Sequence, residues 1–101
     1  MPVTVTLAAM QSRWVRRDDV PTRTEADALH LQAANGEVVT LRAPGDQLWA
    51  LLRTPHTIDE LVDAFIGADD RDDPIARRAV VGAIEVLLRR LHRYDLIIAA
   101  Q

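Results

Sequence analysis

Hydrophobic positions change their period midway along the chain: in the first half they alternate, and in the second they recur every three or four residues. Val3, Val5 and Leu7 alternate with Pro2, Thr4 and Thr6, the period of a strand with one buried face or of a terminal arm. Trp14-Val15-Arg16 extends a first strand, which Asp18-Asp19-Val20-Pro21 breaks, and residues 22–25 have weak strand character. Ala28-Leu29-His30-Leu31-Gln32 alternates clearly. Ala34-Asn35-Gly36 then supplies a turn, because Asn-Gly tolerates positive φ, and Glu37-Val38-Val39-Thr40-Leu41 follows, rich in β-branched residues. The pattern predicts a β-hairpin.

Pro44-Gly45 punctuates, and the period lengthens. Residues 46–52 read as a short helix carrying Leu48, Trp49, Leu51 and Leu52, ended by Thr54-Pro55-His56. Thr57-Ile58-Asp59-Glu60 is a capping box, in which hydroxyl and carboxylate satisfy orphan amides at a helix start. Ile58, Leu61, Val62, Phe65 and Ile66 then make one apolar stripe, closed by Gly67. Asp69-Asp70-Arg71-Asp72-Asp73 is a solvated loop whose last aspartate is a good N-cap for a helix with Pro74 at its first position. That third helix runs to about Tyr94, with Val80, Ile84, Leu87, Leu88 and Leu91 on its buried stripe and Arg78, Glu85, Arg89 and Arg93 opposite. Residues 96–99 form a tail strand or pack on the core. The order predicts an α+β, winged-helix-like fold: a three-stranded antiparallel sheet followed by three helices, with Leu41, Trp49, Leu52, Leu61, Phe65, Ile84, Leu87 and Leu91 in one core. Residues 1–20 form an N-terminal arm or first strand, and residues 21–101 the domain proper.

Composition narrows the chemistry. At 101 residues the chain suits one domain, and 49% apolar residues allow a core of modest stability. Cysteine is absent, which excludes disulfides, thiolate metal sites and thiol catalysis. His30, His56 and His92 fall on different elements without metal-ligand spacing, and read as ordinary surface or partly buried histidines. The only serine, Ser12, sits in no nucleophile motif. The aspartate loop lacks the glycine and glutamate of a calcium-binding loop. No catalytic residue, cofactor or metal is therefore expected. A net charge of −3, with Arg89, Arg90 and Arg93 interleaved with Glu85 and Asp95, argues against general nucleic-acid affinity. The N-terminus lacks the charged and apolar regions of a secretory signal, and no stretch approaches the roughly 18 apolar residues of a membrane span; a cytoplasmic protein is expected.

The ordered set of Gly36-Glu37-Val38-Val39-Thr40-Leu41, Gly45, Trp49-Ala50-Leu51-Leu52, Thr57-Ile58-Asp59-Glu60-Leu61, Leu87-Leu88, Leu91 and Leu96-Ile97 resembles the PqqD-like RiPP recognition elements. The likeness covers residues 28–97. Three positions depart from that pattern: Arg42 replaces an asparagine after the strand, Ala83 an aspartate in the third helix, and Asp95 a glycine before the last apolar pair. Asp95 can take the left-handed conformation at some cost. The resemblance implies a protein that binds the leader of a ribosomally made, post-translationally modified precursor peptide by strand addition. It also implies delivery of that precursor to a separate modifying enzyme. The enzyme is the leader protease or cyclase of a lasso-peptide pathway, or a radical SAM enzyme.

Two features bear on that implication independently. The strand over residues 37–41 holds no proline to block pairing at an edge. Ala76, Ala79, Ala83, Val86 and Arg90 share one flank of the third helix, where small side chains leave a shallow channel or simply permit close helix packing. Resemblance and features together place the peptide along Val38, Val39, Thr40 and Leu41 and over Ala79, Ala83, Val86, Leu87 and Arg90. The strand contributes backbone pairing, and Arg90 attracts an acidic leader side chain. Trp49 is expected in the core; Trp14, beside Arg13, Arg16 and Arg17, is a candidate contact residue. The alternatives are a winged-helix DNA-binding regulator and a structural subunit with no peptide ligand. The leading reading involves neither nucleic acid nor membrane.

Overall fold

Alternation at residues 28–32 and 38–41 folds as expected. In the computed structural model, which describes residues 12–100, strands β3 (Ala28–Gln32) and β4 (Val38–Leu41) pair antiparallel with Leu31 opposite Val39 and Leu29 opposite Leu41. The strand expected at Val3, Val5 and Leu7 lies outside the described residues. In the turn, Gly36 alone takes a left-handed φ, 90°. Its N–H donates to the Ala33 carbonyl (2.9 Å), and the Asn35 carboxamide oxygen accepts from the Glu37 N–H (3.0 Å).

Residues 22–25 are a full strand, β2 (Thr22–Glu25), paired antiparallel with β3, so the sheet order is β2-β3-β4. The turn between them is the two residues Ala26-Asp27, and Ala26 adopts φ 54° without being glycine. The hydrogen-bond phase of this sheet follows from its two ends. The Gln32 N–H donates to the Pro21 carbonyl (3.0 Å), and the Ala33 N–H to the Glu37 carbonyl (2.8 Å). Antiparallel pairs alternate between bonded and non-bonded, so β3 bonds β2 through Ala28, His30 and Gln32, and β4 through Leu29, Leu31 and Ala33.

Three helices follow: α1 (Gly45–Leu51), α2 (Ile58–Phe65) and α3 (Pro74–Arg93). The α2 capping box forms in full. The Thr57 hydroxyl accepts from the Glu60 N–H (3.1 Å), and the Glu60 carboxylate accepts from the Thr57 N–H (2.8 Å). Asp73 caps α3 by accepting from the Ile75 N–H at 2.9 Å, with Pro74 at the first helical position. The end of α3 is a Schellman motif: the Leu96 N–H reaches the Leu91 carbonyl and the Asp95 N–H the His92 carbonyl, both at 3.0 Å, with Asp95 at φ 59°. Asp95 takes the left-handed turn in place of glycine. The Arg17 guanidinium braces it, donating to the Asp95 carbonyl (2.8 Å) and carboxylate (2.9 Å).

The Schellman turn throws the chain into β5 (Ile97–Ala100), which pairs antiparallel with β1 (Arg13–Arg16) as a separate two-stranded sheet. Residues 13–16 are thus a strand tied to the body of the fold. Trp14 exchanges backbone bonds with His56 (2.7 and 3.0 Å), and Arg16 lays its guanidinium over the Trp49 ring, 5.4 Å from the centroid. The Trp14 ring packs on the core, edge-on to the His92 ring at 5.6 Å, so it is a structural bolt and not the free contact residue its arginine neighbours suggest.

Leu31, Val39 and Leu41 from the sheet meet Leu48, Trp49, Leu52, Leu61, Val62, Ile84, Leu88 and Leu91 from the helical half, and Leu96 and Ile97 from the tail, in one core. Of the expected core positions, Phe65 and Leu87 are only half-buried and pack at its rim. No helix among the described residues is long and apolar enough to cross a membrane.

Candidate functional site

Strand β4 is an edge of its sheet. Val39 and Leu41 each leave 2% of their surface exposed, and both spend their backbone groups on β3. By the same phase the N–H and C=O groups of Val38 and Thr40 face the open edge. The four strand residues therefore divide. Val39 and Leu41 anchor the strand, and Val38 and Thr40 offer it. Thr40 is held further by its hydroxyl, 2.9 Å from His30 Nδ1 across the ladder.

The far end of this strand meets α3. A Cβ placed on the buried Gly45 would lie 3.5 Å from the Leu41 side chain and 3.7 Å from Leu87 Cδ2, so the start of α1 joins the end of β4 to the middle of α3. Beside that junction an apolar groove of about 330 Å³ opens, walled by Pro44, Phe65, Ala79, Val80, Ala83, Ile84 and Leu87. The alanine flank leaves this space because methyl groups cannot fill the gap between α2 and α3. Of the helical residues singled out in the sequence, Ala79, Ala83 and Leu87 line the groove. Val86 stands 58% exposed and Arg90 is exposed, both outside the lining. By helical spacing, Ala83, Val86 or Leu87, and Arg90 follow one another along the same side of α3. Among the described residues no carboxylate pairs with Arg90, a condition it shares with Arg89 and Arg93 on the same helix and with most other arginines, whereas Arg13, Arg17, Arg23 and Arg77 have one.

Pro44, Phe65, Val80 and Ile84 line the groove without having been expected there; the sequence assigns Val80 and Ile84 only to the buried stripe of α3. Phe65 sits at the end of the α2 stripe, where the helical period assigns it to the core. Only the small alanines opposite signal that its ring is left at a rim.

The histidines serve the fold. His30 bonds Thr40, His56 Nδ1 lies 2.7 Å from the Thr54 carbonyl, and His92 packs on Trp14. No group of three or more histidine, aspartate or glutamate side chains among the described residues is placed to hold a metal ion. Electrostatics act on two groups near helix starts, Glu60 and Arg77. The Thr57 N–H foremost, and then the Arg13 guanidinium, hold the Glu60 carboxyl below its usual range. The hydrogen bond from Arg77 to Asp63 raises the guanidinium further. Among the described residues the arrangement thus comprises a strand edge with no neighbouring strand, an apolar groove and an arginine with no carboxylate partner. Compared with protein-family models, curated proteins and solved structures, the chain matches none.

Proposed function

We propose that this protein binds the leader segment of a ribosomally synthesised precursor peptide as an added strand along β4. It then presents the precursor, in the cytoplasm, to a separate modifying enzyme: the leader protease or cyclase of a lasso-peptide pathway, or a radical SAM enzyme. In this reading it carries out no chemistry itself. The observation that carries the proposal is the junction of the β4 edge with the apolar groove on α3, bridged at Gly45. Backbone pairing with Val38 and Thr40 gives affinity with little sequence demand. The groove selects an apolar side chain, and Arg90, exposed beside it on α3, draws an acidic one.

The test is fluorescence polarisation with labelled synthetic leader peptides of lasso-peptide and radical SAM precursors. Ala83→Trp fills the groove and is expected to weaken binding at least tenfold in a protein with an unchanged circular dichroism spectrum. Thr40→Pro removes an N–H that faces the open edge and is expected to weaken binding likewise. Val39→Pro is the less specific probe, because the amide it deletes belongs to the β3–β4 ladder and its loss damages the sheet itself. A folded Ala83→Trp protein that binds the leader as tightly as the parent overturns the site. Salt-dependent binding of duplex DNA with none of the leader overturns the function.

A further inference from the structure

Among the described residues the sheet has a second open edge, β2, opposite the one proposed for the peptide. All four of its residues, Thr22-Arg23-Thr24-Glu25, are exposed. The hydrogen-bond phase fixes which backbone groups are free there. Arg23 and Glu25 bond inward to His30 and Ala28, so Thr22 and Thr24 turn their N–H and C=O groups outward. An antiparallel partner must therefore bond to even-numbered positions.

We propose that β2 pairs with β2 of a second copy of this chain, forming a two-fold dimer with a continuous six-stranded sheet. Only a few two-fold registers bring even-numbered residues together in bonded pairs. Placing Arg23 opposite Arg23, or Glu25 opposite Glu25, sets like charges side by side. The register with Thr24 opposite Thr24 sets Arg23 of each copy opposite Glu25 of the other, at non-bonded positions where side chains approach most closely. Arg23 and Glu25 already pair with each other within one strand. In the dimer each carboxylate stands between its own guanidinium and that of the other copy. Charges on an edge strand commonly prevent promiscuous pairing. Here they reject most partners and admit an identical strand in this one register. The short strand makes a small interface, so the association is reversible and concentration-dependent. It leaves both β4 edges at the outer margins of the joined sheet, and does not depend on what binds there.

Sedimentation velocity over a concentration series up to millimolar tests the proposal. The parent is expected to move reversibly from monomer to dimer. R23E is expected to raise the dissociation constant about tenfold or more, since two attractive cross-strand pairs become repulsive. E25R acts likewise, and the double reversal R23E/E25R restores the dimer. Thr24→Pro deletes an outward amide that β3 does not use and is expected to give a monomer; circular dichroism melting confirms that each variant is folded. A parent that stays monomeric throughout overturns the proposal. So does a dimer that persists in folded Thr24→Pro, and a dimer indifferent to charge reversal overturns its register.

Discussion

At the scale of single residues, two of the described positions carry backbone conformations that L-amino acids adopt reluctantly, and they differ in compensation. Asp95, at φ 59°, holds Arg17 through both its carbonyl and its carboxylate. Ala26, at φ 54°, carries only a methyl group, which can make no such bond, and lies exposed in a two-residue turn. Ala26→Gly is therefore expected to stabilise the protein by about 0.5–1 kcal/mol, after the entropy glycine adds to the unfolded chain offsets part of the relief. A thermal melt that does not rise would show that the turn relaxes without help. Glu60 provides a pH handle. Its folded pKa is depressed, chiefly by the Thr57 N–H. Its contribution is thus present above the ordinary carboxylate pKa and lost as pH falls through the lowered one. Glu60→Gln keeps an acceptor for the cap but removes the titration. Melting followed from neutral to acid pH should fall less steeply in the variant than in the parent; equal slopes would place the acid sensitivity elsewhere.

At the scale of elements, α3 does most to organise the molecule. Ile84 and Leu91 face the shared core at 3% and 0% exposure. Truncating either to alanine is expected to cost about 2–5 kcal/mol, read as a lower urea midpoint; unchanged midpoints in both would deny them the core. The helices were legible in the sequence because each signal is local. The Thr57–Glu60 box, Asp73-Pro74 and the α3 stripe lie within a few turns of what they control. Strand β2 read weakly for a physical reason: all four side chains are exposed, so no alternation of burial marks it, and its turn has no glycine. The pairing of β1 with β5 was illegible because nothing in either stretch names its partner. The candidate site was half legible. The alanine flank and the unblocked strand stood in the sequence, but two things did not. Which amides face outward depends on hydrogen-bond phase, and the rim position of Phe65 depends on the distance between two helices.

At the scale of the whole molecule, the two sheets do different jobs. The three-stranded sheet presents open edges, while β1 and β5 stitch the beginning of the described chain to its end. That stitch has a kinetic consequence. Trp14 and Ala99 are register partners about 85 residues apart in sequence, so their ladder closes a loop that takes in nearly all the described residues. The β2-β3-β4 meander and the α2–α3 pair close short loops and repay the lost chain entropy sooner. The ends should therefore zip last during folding. In native-state hydrogen exchange the amides of β1 and β5 should open at lower free energy than those of β3 or the middle of α3, as a subunit that peels away while the core stays shut.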